Sequence, residues 1–193
     1  QPGKVPATRV FYRGNHDQPK AVVKPAALTV VSGKPIPENN DALSSTGRRT
    51  AFANRLTDGK HPLTARVFAN RIWHHLFGRG IVRTVDNFGE TGERPTNPAL
   101  LDHLAARFIA QNWSVKKLIR EIVLSRVYQL SSETRDLKCE KVDIENKLHW
   151  RQNRRRLQAE AIRDAVLSVS GQLDTKSGGN TIKPGTTTEY GYQ

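Results

Sequence analysis

Between residues 64 and 128 the chain repeats one pattern three times: a capping residue, then apolar side chains returning every three or four positions. A strand would alternate every second residue, so this period commits the segment to helices with one buried face. In ARVFANRIWHHLF, Thr64 is the expected cap, and Ala65, Phe68, Ala69, Ile72 and Leu76 form the expected apolar face. Gly78 follows, where a left-handed residue ends a helix cheaply. Asn97-Pro98 opens the second run, with the amide as cap and the proline at a position that needs no backbone donor. Its stripe is Leu100, Leu101, Leu104, Ala105 and Phe108. Ser114 caps the third run, in which Val115, Leu118, Ile119, Ile122 and Val123 recur among charged residues; this helix is expected to run on toward Tyr128.

The flanks carry weaker signals. RRTAFANRLT predicts a short helix with Phe52, Ala53 and Leu56 on one side, ended by His61-Pro62 because a residue before proline avoids the helical region. After Arg154-Arg155-Arg156, the stretch LQAEAIRDAVLSVSG predicts a last amphipathic helix on Leu157, Ile162, Ala165, Val166 and Val169, stopped at Gly171. Residues 131–142 are polar and expected as loop, and DIENKLHW is a candidate short helix. Pro19, Pro25, Pro35 and Pro37 bar helix from the N-terminal region, where TRVFYRG is the one strand-like segment. The expected fold is therefore mainly α: a small bundle of about five helices over residues 47–172. An extended arm with one short strand (1–46) precedes it, and an irregular tail (173–193) follows.

The chain has 193 residues and a formal net charge of +13. Such a balance suits a polyanionic partner. The positive residues are spread along the chain, with no helix-turn-helix spacing, zinc finger or aromatic RNA-binding stretch, so nucleic acid ranks behind an acidic glycan. No run approaches the roughly 18 apolar residues of a membrane span. Cys139 is the single cysteine, which excludes an internal disulfide and a thiolate metal cluster. Methionine is absent and the chain begins Gln1-Pro2-Gly3, as expected of a piece of a longer protein.

One tetrapeptide suggests chemistry. Gly14-Asn15-His16-Asp17 matches a metallophosphoesterase signature in which Asn and His reach one ion of a two-metal centre. Those enzymes also carry Asp-x-His and Gly-Asp-x-x-Asp before it and Gly-His-x-His after it; none is present here. A local turn is the simpler expectation, with Gly14 at positive φ and Asn15 and Asp17 bonding nearby backbone. His74 and His75 are adjacent on one helix, pointing about 100° apart, and each has an ordinary neighbour one turn back in Asn70 and Arg71. No metal site is expected from such spacing. There is no Gly-x-Ser-x-Gly elbow. Cys139 lies in LKCEK, where flanking lysines would favour a thiolate, but no base is marked beside it.

The densest candidate is the connector GRGIVRTVDNFGETGERPT, too long for a simple turn. Asp86, Glu90 and Glu93 could meet across a cleft as acid–base groups; the simpler expectation is solvated loop residues, neutralised by Arg79, Arg83 and Arg94. Arg151, Arg154, Arg155 and Arg156 belong to the other dense stretch, where the first expectation is an internal ion network, Glu160 and Asp164 pairing with Arg156 and Arg163 to hold the last helix to the bundle, and the second is an anion site with bidentate bonds to carboxylate or phosphate.

Three blocks in order, TRVFYRGNHDQP, the stretch from His61 to Ser132 and NRRRLQAEAIRDAVLSVSGQLD, resemble the planctomycete-type domain of unknown function found near the C-terminus of large cytochrome-c-linked proteins. The resemblance runs from about Thr8 to the end of the chain and includes RGNHDQP, so it implies no phosphatase chemistry there. Asn87, Gln158 and Lys20 depart from the residues expected at those positions (Asp, Glu and Gly), which weakens a carboxylate pair at 86–87. The resemblance implies an extracytoplasmic protein with c-type haem on a separate module, since no Cys-x-x-Cys-His occurs here. It also implies a chain that stops mid-domain. Two functions follow as expectations. One is a non-catalytic module that docks neighbouring domains of the same polypeptide, a haem-bearing partner or an acidic glycan. The other is part of an oxidative or hydrolytic enzyme on polysaccharide, with His16, Asp17 and Asp86 converging.

Overall fold

The computed structural model describes residues 7–28, 30–31, 36–38, 40, 43–176 and 178. It is mainly helical. A two-stranded sheet, β1 (Arg9–Tyr12) and β2 (Asn15–Val22), is followed by α1 (Arg48–Thr57), α2 (Thr64–Phe77), α3 (Pro98–Ala110), α4 (Val115–Val123), α5 (Leu137–Val142) and α6 (Ala159–Val169). The chain divides into two compact units, Gln1–Arg154 and Arg155–Gln193. The helical domain expected over 47–172 thus spans both units, and most of the expected tail lies outside the described residues.

The core of the first unit forms where α2, α3 and α4 pack together. The caps work as expected at three ends. Asn97 Oδ1 accepts from the Leu100 backbone N–H at 3.0 Å, Ser114 Oγ from that of Lys117 at 3.4 Å, and Gly78 ends α2 at φ 79°. The buried stripes of α3 and α4 also fall where the period puts them, on Leu101, Leu104, Ala105, Phe108, Leu118 and Ile122. On α2 the face is rotated: Asn70, Trp73 and Phe77 are buried with Ala65, Ala69 and Ile72, while Phe68 is 42% exposed. Trp73 and Phe77 stack at 4.1 Å, and Tyr128 meets Phe77 edge-on at 5.5 Å. α6 buries no residue; its Ile162, Val166 and Val169 are exposed.

Several expectations need correction. Among the described residues the arm holds two strands, not one. Arg13 and Gly14 both take positive φ, 47° and 80°, as a tight two-residue hairpin turn requires. Arginine is a rare occupant there, which hid the turn in the sequence. Pro19 is tolerated because β2 is irregular, with register shifts on both sides of Phe11. Thr64 does not cap α2. The His61 ring does, its Nδ1 accepting from the backbone N–H groups of Leu63 and Thr64 at 3.3 and 3.2 Å. The polar stretch expected as loop contains α5, opened by Asp136, whose carboxylate accepts from the backbone N–H groups of Lys138 and Cys139. DIENKLHW is not a helix. Its Asp143 carboxylate takes the N–H groups of Lys147 and Leu148 at 2.8 Å each, and Asn146 and His149 adopt positive φ. α4 ends at Val123, short of Tyr128.

Candidate functional site

The connector after α2 enters the core before it returns to the surface. Ile81 and Val82 are each 2% exposed, so their backbone polar groups need partners away from water. Asn70, fully buried on α2, supplies them. Its Nδ2 donates to Val82 C=O at 3.0 Å and its Oδ1 accepts from Val82 N–H at 2.9 Å. The Ile81 carbonyl accepts from Thr96 N–H at 2.9 Å and from its hydroxyl at 3.2 Å. Gly80 is required by this contact, since a Cβ there would stand 2.4 Å from the Val82 carbonyl oxygen.

Beyond the clamp the loop ties itself. Thr84 Oγ1 donates to Asn87 C=O at 2.8 Å and accepts from Glu93 N–H at 3.0 Å. Asn87 Oδ1 accepts from Gly89 N–H, and its Nδ2 donates to the Thr91 hydroxyl, both at 2.9 Å. A Cβ on Gly92 would stand 2.2 Å from the Asn87 carbonyl oxygen, so this turn is as tight as the clamp. The result is a preformed cleft of about 450 Å³ between the loop and the sides of α2 and α3. Val82, Phe88 and Leu101 give it an apolar wall, and Arg66, Glu90, Glu93, Arg94 and Asp102 give it charge. Arg66 Nε donates to Asp102 at 2.7 Å, and this bond holds the Asp102 carboxyl below its ordinary pKa.

The residues singled out from the sequence are taken up by several parts of the fold. Asn15, His16 and Asp17 open β2 on the exposed hairpin, where Asn15 Oδ1 accepts from Asp17 N–H at 3.0 Å and His16 pairs with Asp17 at 3.1 Å. Asp86 is engaged by Arg71. Among the described residues no hydrogen bond or ion pair joins 15–17 to 79–94, and no group of three or more His, Cys, Asp or Glu is placed to hold a metal ion. Glu90 and Glu93 line the cleft, with Glu93 held by Arg83 Nε at 2.8 Å. Arg79 turns away to Glu145 at 3.3 Å. Among the described residues Glu90 and Arg94 carry no hydrogen bond or ion pair. Arg151 and Arg154 line a second, polar cleft of the first unit, and Arg155 and Arg156 are exposed in the second unit. Cys139 is not primed as a thiolate: burial and then the Asp136 carboxylate push its pKa up, against the effect expected from the flanking lysines.

Asn70 was the functional residue least visible in advance. Its signal is a poor helix former set inside an apolar face, directly before Gly80-Ile81-Val82 in space but not in sequence.

His149 was also missed. It is 8% exposed, and the Trp73 indole N–H donates to its Nε2 at 3.3 Å, so in the neutral ring the proton sits on Nδ1. Burial first, and the charge of Arg79 second, push its pKa below the ordinary histidine value, against a smaller opposing pull from Asp143. The unfolded chain therefore binds a proton that the folded chain resists. The stability is whole above the ordinary value of about 6.5 and is lost as pH falls below it toward the depressed folded value. Urea midpoints at about pH 7.5 and about pH 5.5 should differ more in the wild type than in His149→Gln, which keeps an acceptor for Trp73. Equal differences in the two proteins would refute this role.

The first unit is thus mainly helical and carries a preformed, charge-lined cleft beside a clamped loop. The family model PSD1, a protein of unknown function (DUF1553), matches residues 48–191, and the chain belongs to that family. The match opens at the first residue of α1, so the hairpin lies outside it. No curated protein and no solved structure matches the chain.

Proposed function

We propose that this chain is a non-catalytic binding module of a larger, extracytoplasmic, cytochrome-c-linked protein of planctomycete type, lying toward that protein's C-terminus. In this proposal the loop cleft takes an acidic glycan, and other faces dock neighbouring domains of the same polypeptide. The c-type haem belongs to a separate module, since the single cysteine here cannot form the attachment motif.

The observation that carries the proposal is the division of labour among the loop charges. Asp86 and Glu93 are bound by Arg71 and Arg83, and Asp102 by Arg66. Glu90 and Arg94 remain open at a rigid cleft beside Phe88. A glycoside hydrolase needs two carboxylates free to exchange protons across the scissile bond. A sugar-binding site needs a planar cation, an acceptor for hydroxyls and an aromatic or apolar wall, held in place before binding. The second description fits what is present, and the charge of +13 adds long-range attraction for a polyanion.

Calorimetric titration with oligogalacturonate checks this. The wild type should bind saturably, and Arg94→Ala should bind at least about tenfold more weakly, a loss of about 1.4 kcal/mol. Glu90→Ala should weaken neutral and acidic sugars alike. Absence of saturable binding, or turnover of the oligosaccharide with loss of activity in Glu90→Gln, would overturn the proposal.

A further inference from the structure

The second cleft of the first unit, about 570 Å³, has a different chemistry. Gln152 N–H donates to the Ser131 carbonyl at 3.2 Å, which brings the turn before α5 beside residues 151–154. Arg135 from the turn and Arg151 and Arg154 from the facing segment line one space, with the hydroxyl-bearing Thr134 beside them.

Arg151 is held rigidly. Its backbone N–H donates to Asn146 Oδ1 at 3.3 Å and its carbonyl accepts from Asn146 Nδ2 at 2.7 Å, and Asn146 is itself 1% exposed. Its guanidinium lies over the Trp150 ring at 5.0 Å, and the indole N–H is anchored on the Asp143 carbonyl at 3.0 Å. Arg151 Nε is shut off from water with no hydrogen-bond partner. An atom closed to water is closed to an oxyanion in the cleft as well, so the donors that Arg151 offers there are the terminal amines of its guanidinium. Among the described residues the Arg151 and Arg135 side chains make no hydrogen bond or ion pair. Arg154 is committed only to Glu133, at 3.3 Å, with both side chains largely exposed, a pair that contributes little.

We propose that this cleft is a binding site for a tetrahedral oxyanion, the phosphate or sulfate group of an ester. The planar donors of three arginines match such oxygens in bidentate fashion, and Arg151 is pre-oriented by Trp150. Glu140, in the same cleft, offers an acceptor to a protonated phosphate oxygen, a contact sulfate cannot make. Phosphate is therefore the favoured ligand.

The test is NMR titration of the whole chain with inorganic phosphate and with sulfate at constant ionic strength. Saturable shifts confined to residues 131–154 are expected. Arg135→Glu, on an exposed turn, should weaken binding at least about tenfold; Arg49→Glu, the same charge change on α1, should not. Arg151→Lys keeps the charge and tests the fork, and should also weaken binding. Tighter binding of sulfate would assign the site to sulfate esters. No saturable binding of either anion, or equal weakening by Arg49→Glu, would overturn the proposal. Neither result bears on the loop cleft, whose residues are untouched by these variants.

Discussion

Replacing Asn70 by alanine is expected to cost about 2–6 kcal/mol and to release the connector from the core. Each of the two Val82 backbone groups that Asn70 satisfies would be left buried without a partner, at roughly 1–3 kcal/mol apiece. Against a total stability on the order of 5–15 kcal/mol that is a large share. Urea denaturation gives the loss, and hydrogen exchange locates it: the Val82 amide should exchange early in the variant and late in the wild type. A loss under about 1 kcal/mol with a protected Val82 amide would mean that packing of Ile81 and Val82 holds the loop without the clamp. Because Phe88, Glu90 and Arg94 follow in the same loop, the variant should also lose the glycan binding proposed for this cleft.

Phe77→Ala should destabilise the first unit by about 3–5 kcal/mol, the range for removing a buried phenylalanine. Phe77 is 2% exposed and its ring meets Trp73, Tyr128 and His149. Truncation would leave a cavity bounded by aromatic rings that are fixed on three different segments and cannot easily collapse into it. Phe68→Ala on the same helix is the contrast. Phe68 stacks on Phe108 at 5.2 Å but is 42% exposed, so its loss should be nearer 1 kcal/mol. Comparable losses in the two variants would show that the face of α2 inferred from spacing, with Phe68 inside, is the one that stabilises the protein.

That contrast marks where sequence reasoning reached its limit. On α3 and α4 the buried residues keep to one apolar stripe, so the period alone locates Leu101, Leu104, Phe108, Leu118 and Ile122. α2 is covered on more sides. It meets α3 and α4, receives Ile81 and Val82 of its own connector and carries His149 against Trp73. A helix so surrounded buries residues such as Asn70 and Trp73 that a one-face rule leaves outside. The candidate loop was visible through its glycines, and Glu90 and Glu93 do line its cleft. Which carboxylate finds which arginine was not visible, because the partner of Asp86 is Arg71 on α2 rather than a cation of the loop.

Local chemistry thus determined a good deal. Asn97, Ser114 and Gly78 cap helices because their side chain or backbone freedom satisfies groups within a few residues, and no distant contact is needed. The same short range made the mainly helical class legible. Two further local features gave too weak a signal to be read, and tertiary structure alone decided the rest. The hairpin depends on a positive φ at Arg13 that no propensity favours, and α5 depends on one carboxylate in a polar stretch. The clamp and both clefts are made by residues far apart in the chain. Asn70 meets Val82 only once α2 has packed, and Arg135 meets Arg151 only once Ser131 and Gln152 are joined. Such pairings follow from the closing of long loops around a shared core, a cost and a gain that a sequence window of one helix does not contain.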